Sequence, residues 1–379
     1  MEIPISDLTA QYFEARAEID AAWKNAVTRS AFIGGEAVKR FEAELAASFA
    51  LKYACGVANG TAALAITMKS LDLGPDDEVI TTVHTAAPTA EAITLAGARI
   101  VFCDIEEDTF QIDPKAVEAA ITPRTRVLLP VHLYGLSVRL RDLTAIARRH
   151  KLVLIEDVAQ AQGTRYDGRM VGTFGVAGCL SFFPSKNLGG FGDGGAVVTS
   201  DERIERFVRM YSNHGRLAKF DHTIQGANER LDALQAALLL PKLRRLATWN
   251  ERRRKAAQWY EERLADVEEI RLPHPVRECT PAWHLYVIRT DDRDGLMRFL
   301  KEKGVATGLH YPLPLNLQPA FESLGKPAGS FPVAERLTQH EILSLPMFPH
   351  ISEEQVDYVC RQIREYAAAH LKQSRVATL

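Results

Sequence analysis

Between about residues 54 and 200, short apolar runs rich in β-formers alternate with segments of helical pattern. That alternation restricts the fold more than any other feature of the chain. CGVAN precedes TAALAITMKSLDL, DEVITTV precedes TAAPTAEAITLAG, and ARIVFCDI precedes DPKAVEAAI; RVLLPVHLYG then precedes RLRDLTAIARRHK, and LVLIEDVA follows. Several runs are apolar at every position, as in strands covered on both faces. The pattern predicts an α/β fold with a mostly parallel central sheet and helices on both faces. AGCLSFFP and GGAVVTS have no helical segment between them, so they read as two strands joined by a loop.

With 379 residues the chain exceeds one compact core, and two domains are expected. The style changes late in the chain: long helices from about residue 229 to 264, with Pro241 expected to break or kink them, then Pro-rich loops, the strand WHLYVIRT and a terminal helix. We divide it into a large domain, residues 1–248, and a smaller α+β domain, residues 249–379. A net charge of −2 argues against a nucleic-acid partner and against a polybasic membrane anchor. No stretch has the length of a membrane span, and the N-terminus lacks the basic start and apolar core of a signal peptide. Five scattered cysteines without a CxxC pair fit a reduced, cytoplasmic compartment.

Two motifs mislead. Gly190, Gly192 and Gly195 fit the GxGxxG dinucleotide fingerprint, but AVVTS follows, which is β-like, where the fingerprint needs a helix. LVLIED resembles the acidic strand of a nucleotide hydrolase, yet no GxxxxGK[ST] loop exists to hold the phosphates. The eleven histidines show no HExxH or other metal spacing, so no metal site is expected.

Three features remain. Asp157 ends a predicted parallel strand, where open α/β sheets bind ligands. VANGTAAL gives a strand, a turn at Gly60-Thr61 and a helix start, whose free N–H groups suit a phosphate; a plain helix cap is the competing reading. Lys186 lies in SFFPSKNLGGFGDGGAVV, beside glycines that let backbone approach a flat ligand closely; a solvated surface lysine is its competing reading. Together these suit pyridoxal 5′-phosphate, which needs a phosphate anchor, a carboxylate for its ring nitrogen and a lysine for its aldehyde.

VANGTAAL, IEDVAQAQG, SFFPSKNLGGFGDGGAVV and GANERLDALQAALLLPKL, in this order, resemble the DegT/DnrJ/EryC1/StrS sugar-nucleotide aminotransferases. The resemblance runs from FIGGEAVKRFEAELA to ILSLPMFP, most of the chain. It implies the fold-type I, aspartate aminotransferase-like architecture. It also implies that Lys186 bonds the cofactor and shuttles the proton, that Asp157 pairs with the ring nitrogen, and that Gln160 lies near the ring hydroxyl. Gly60, Thr61 and Ser181 would hold the phosphate, with Asn228 reaching it from the neighbouring subunit of a homodimer with shared active sites. His310 and Tyr311 would line the sugar-nucleotide cleft, and His84 and His214 are further candidates there. Each has a structural competitor, such as a strand serine for Ser181 or a helix cap for Asn228.

Many family members place a large aromatic residue over the cofactor face where this chain has Ala86. Stacking would then come from elsewhere, with His84 as one candidate. A small residue there, with VHLYG and GLHYPLP, is similar to members that aminate a C3 ketone. The resemblance therefore implies transfer from L-glutamate to a dTDP-3-keto-6-deoxyhexose, with pyridoxamine phosphate between the half-reactions. A C4-ketosugar aminotransferase is the alternative. Dehydratases on this scaffold replace the lysine with histidine, unlike this chain. An aldolase and a regulatory protein that binds the cofactor without turnover are the other readings.

Overall fold

The computed structural model describes residues 1–377, with side chains through residue 369. Nine strands occupy the region of alternation: β1 (Tyr53–Val57), β2 (Glu78–Thr82), β3 (Arg99–Cys103), β4 (Thr125–Leu129), β5 (Val153–Asp157), the two-residue β6 (Arg165–Tyr166) and β7 (Arg169–Met170), β8 (Ala177–Ser181) and β9 (Gly195–Thr199). Seven of them form the main sheet in the order β1-β9-β8-β5-β4-β2-β3. β9 runs antiparallel to both its neighbours, and the other pairs are parallel.

Consecutive strand residues face opposite sides, and both sides are buried. Ile155, Val197 and Val79 pack with the helix Gly60–Lys69, whereas Leu154, Ala196 and Ile80 pack with Phe41, Leu45 and Leu239 on the other face. A sheet without a solvated face has no reason to alternate polar with apolar residues, which explains the unbroken apolar runs. The same parity separates neighbours at the end of β5. Asp157 shares the face of Ile155, and Glu156 shares that of Leu154. Glu156 is fully buried there, held by His132 Nε2 at 3.0 Å and by backbone N–H groups of Gly172, Phe174 and Gly175.

Beyond β10 (Cys279–Thr280), the C-terminal part builds a two-stranded sheet from β11 (Tyr286–Arg289) and β12 (Ile342–Leu345). Its core joins Tyr260, Ile288, Leu343 and Val359 to Val83, Phe102 and Val131 beneath the main sheet's edge. Ile3 bridges to Val305, so the chain's start lies against this C-terminal layer. Pro241 does not break its helix. It lies inside Ala233–Leu243, and the interruption comes later, before Leu246–Leu264 begins. Its carbonyl accepts from Arg245 Nη1 at 2.9 Å, so this last turn keeps a partner.

The glycine-rich loop returns at Gly195, which opens β9 beside the end of β1. A Cβ there would lie 2.4 Å from the Asn59 carbonyl carbon and oxygen. Backbone meets backbone with no room for a methyl group. Gly195→Ala is expected to lower stability by about 3 kcal/mol, measured by urea unfolding.

Candidate active site

β1, β2, β5 and β8 all end on the same edge of the sheet, and a cavity of about 400 Å³ opens there. Carboxyl ends of parallel strands are followed by loops free to carry function. Asp157, Gly60, Thr61, Ala86, Gln160, Ser181, Lys186, His310 and Tyr311 all line this one space.

Asp157 is 3% exposed. Its Oδ1 accepts from Ala159 N–H at 3.0 Å and its Oδ2 from Thr89 Oγ1 at 2.9 Å. Burial raises its pKa, against those hydrogen bonds and the attraction of Lys186. Lys186 stands after the β8 turn, its backbone N–H held by the carbonyl of Phe183 at 2.8 Å. Burial pushes its amine down to about 8, against the pull of Asp157. That value brings a useful fraction of free amine near neutral pH.

The helix Gly60–Lys69 starts on the cavity wall. Asn59 caps it by accepting from Ala62 N–H at 2.8 Å, which leaves the N–H groups of Gly60 and Thr61 without an intrahelical acceptor. The helix start presses on β8: a Cβ at Gly60 would sit 2.7 Å from Ser181 Cβ. The cap of this helix is Asn59 and not Thr61. Ala86 immediately precedes the helix Ala87–Ala96 and leaves its part of the wall open.

Gln160 is oriented by the protein at both ends. Its Oε1 accepts from Tyr134 N–H at 2.8 Å and its Nε2 donates to Tyr311 Oη at 3.1 Å. The Tyr134 hydroxyl donates to the carbonyl of His310, so His84 Nε2, 2.6 Å from that hydroxyl, must carry the proton between them. His310 Nδ1 pairs with Ser344 Oγ at 2.8 Å. Burial lowers the His310 pKa to about 4 and raises that of Tyr311 to about 12, so both are neutral near pH 7.

His84 therefore does not line the cavity. It is 1% exposed, lowered to about 3 by burial, and serves as a brace behind the His310 loop. Two residues after His84, Ala86 does reach the wall. His214 and Asn228 lie elsewhere too, both exposed, on a segment where Asn213 bridges Asn228 and the His214 carbonyl meets His222 Nδ1 at 2.7 Å. In a single chain that segment takes no part in the cavity. Tyr134→Phe should strand the His84 N–H and the His310 carbonyl together. We expect a loss of about 2–3 kcal/mol in urea unfolding.

The sequence pattern of the DegT/DnrJ/EryC1/StrS aminotransferase family matches residues 14–364. The chain belongs to that family. A pleiotropic regulatory protein of Geobacillus stearothermophilus is 45% identical over 370 residues, covering 97% of this chain and 99% of that protein. The dTDP-3-amino-3,4,6-trideoxy-alpha-D-glucose transaminase of Streptomyces venezuelae is 43% identical, with 96% of each chain covered. Among solved structures, S. venezuelae DesV in complex with a ketimine intermediate superposes with a TM-score of 0.94 at 43% identity, over 97% of this chain and 98% of that one. This aminotransferase has the family's fold-type I architecture, with the mostly parallel sheet described above.

For this DegT/DnrJ/EryC1/StrS aminotransferase, the cavity can be tested against pyridoxal phosphate. A buried carboxylate, an amine without hydrogen-bond partner among the described residues, and a helix start with the N–H groups of Gly60 and Thr61 unclaimed within the helix face one space. The donor set fits. Sequence reading missed Thr85, Thr89, Asp193 and His284, which also line the cavity. Thr89 could have been suspected from its place in the first turn after a strand end. His284 carried no signal in a run that reads as an ordinary strand.

Proposed function

We propose that this aminotransferase moves an amino group from L-glutamate to a nucleotide-linked ketosugar, with pyridoxal phosphate as its cofactor. The observation that carries the reading is the convergence of Lys186 and Asp157 on one cavity with the Gly60 helix start. Pyridoxal phosphate, when bound, supplies an aldehyde for the incoming amine and a ring that withdraws electrons from the reacting carbon. Lys186 would be the amine that holds the cofactor through its aldehyde, and its Nζ would take the α-proton of glutamate and deliver a proton to the sugar carbon in the second half-reaction. Asp157 holds a proton at the ring nitrogen through its carboxylate. The N–H groups of Gly60 and Thr61, with the Ser181 hydroxyl, bind the phosphate. Gln160, by donating to the Tyr311 hydroxyl, would hold that side chain in place in the cavity, where His310 and Tyr311 would orient the sugar.

We place the amination at C3 of a dTDP-linked 3-keto-6-deoxyhexose. Ala86 on the cavity wall supports this, as does the 3-amino product in the name of the Streptomyces venezuelae relative. We also propose a cytoplasmic homodimer in which the Asn228 segment serves the partner's site. Exposed Phe13 and Phe191, each against Tyr12, and exposed Leu217 and Phe220, near Asn228 in sequence, support apolar contacts between subunits. The cysteines form no disulfide, consistent with that compartment. No helix among the described residues is long and apolar enough to cross a membrane. The division at residue 248 leaves the His310 loop on the smaller domain and Lys186 on the larger.

The test has two stages. Protein loaded with cofactor and given glutamate alone should release one equivalent of 2-oxoglutarate per site. A panel of dTDP- and UDP-linked 3-keto and 4-keto sugars should then gain nitrogen, read by NMR, at C3. No 2-oxoglutarate would support the regulatory reading that the Geobacillus relative's name suggests. An amine at C4 would overturn the C3 assignment alone.

A further inference from the structure

Asn187, the residue after Lys186, is 1% exposed, and fixed acceptors determine which way its carboxamide points. Its Nδ2 donates to the Ala282 carbonyl and to Asn250 Oδ1, both at 2.9 Å. Asn250 is oriented in turn, because its own Nδ2 donates to the Gln162 carbonyl at 2.8 Å. A carbonyl oxygen only accepts, so neither amide can be reversed without setting acceptor against acceptor. The Asn187 Oδ1 therefore faces the other way, 3.1 Å from His284 Nδ1. An amide oxygen cannot donate, so that ring nitrogen carries the proton.

His284 is consequently the Nδ1–H tautomer, and burial holds its pKa well below the ordinary value, so the ring stays neutral. Its Nε2 is a bare acceptor on a residue that lines the cavity with Lys186. Lys186 has the opposite deficit: three donors, and no hydrogen bond or ion pair among the described residues. The two groups interact electrostatically across the cavity.

We propose that His284 is a positioning residue for Lys186: its Nε2 accepts a hydrogen bond from the lysine amine when that side chain turns toward it across the cavity they share, a contact not made in the position the amine holds in this structure. The proposal rests on reading Lys186 as the proton-carrying amine. It places that amine at the end of a chain of fixed dipoles running from Gln162 through Asn250 and Asn187 to His284. A long, flexible side chain would then return to one position after each proton transfer, instead of wandering into solvent. The other titratable groups facing Lys186 in the cavity are Asp157 from the sheet edge, Asp193 from the glycine-rich loop, and His310 and Tyr311 from the C-terminal loop. His310 and Tyr311 are neutral near pH 7, so among these groups Asp157 attracts the ammonium, and His284 supplies a directed lone pair.

The test uses the full chain stripped of cofactor. Trace acetylation of Lys186 across pH, quantified by peptide mass spectrometry, gives its pKa directly. A neutral acceptor favours the ammonium, so His284→Phe should lower that pKa by about one unit. His284→Gln can donate to Asn187 Oδ1 and turn its oxygen to the cavity, and should restore most of the shift. In the loaded enzyme, the acid limb of the glutamate half-reaction should move by the same amount and in the same order. An unchanged Lys186 pKa in the Phe variant overturns the proposal. Should that variant not fold, ¹⁵N spectra of histidine-labelled unaltered protein decide. His284 must show its proton on Nδ1, and its Nε2 signal must move in Lys186→Ala; a proton on Nε2 or an unmoved signal overturns the pairing. A Lys186→Ala enzyme that still transaminates would instead remove the catalytic reading and leave the measured pairing standing.

Discussion

Lys186→Ala is expected to reduce transamination by about 10⁴-fold or more, with the cofactor's lysine-bound visible absorption gone. Two losses combine: the amine that bonds the aldehyde and the base that moves the proton. The variant should nevertheless fold. The Lys186 amine makes no hydrogen bond or ion pair among the described residues, and burial already disfavours its charge, lowering the pKa to about 8. Below its ordinary pKa the buried ammonium is a penalty on the native state, so its removal should leave the melting temperature unchanged or higher. The measurement is therefore a pair, single-turnover kinetics with glutamate beside a thermal melt. Full stability with lost turnover supports the assignment; near-normal turnover sinks it. Lys186→Arg should not rescue, because a guanidinium stays protonated and cannot serve as the base.

Asp157→Asn is expected to lower the glutamate half-reaction by about 10³-fold. The carboxamide is nearly isosteric and can still accept from Ala159 N–H through Oδ1. Its NH₂ then faces Thr89 Oγ1, which can turn its own proton toward Thr85, 3.0 Å away. Architecture survives, but the negative charge opposite the ring nitrogen is gone. In a site with Asp157 3% exposed, water cannot replace that charge. The expected result is a folded protein that binds cofactor with an altered spectrum and reacts slowly with glutamate. Activity within tenfold of the unaltered enzyme would show that some other group holds the ring nitrogen.

The residues on which both predictions rest are legible in the amino-acid sequence. Asp157 can be found because a parallel sheet places ligands at its carboxyl edge, and Lys186 because a glycine-rich loop follows a strand where a helix is due. The reason for the glycines is not legible there. The sequence assigns them to close approach of a flat ligand. At Gly195 the close approach is instead to the Asn59 backbone of the chain itself, which would stand 2.4 Å from a Cβ. His84 shows the same limit. A histidine next to the wall residues Thr85 and Ala86 looks like a ligand-facing side chain, and only the fold turns it behind Tyr134.

Strand–helix alternation, unbroken apolar runs and ordered motifs are local properties, and they determined the sheet, the cofactor class and the two central residues. The tautomer of His284, the retirement of His84 and the capture of Gln160 by Tyr134 and Tyr311 depend on groups more than twenty residues apart in sequence. A hydrogen bond between distant segments has no periodicity to betray it. It exists only once packing has brought donor and acceptor within about 3 Å and shut out the water that would otherwise satisfy both.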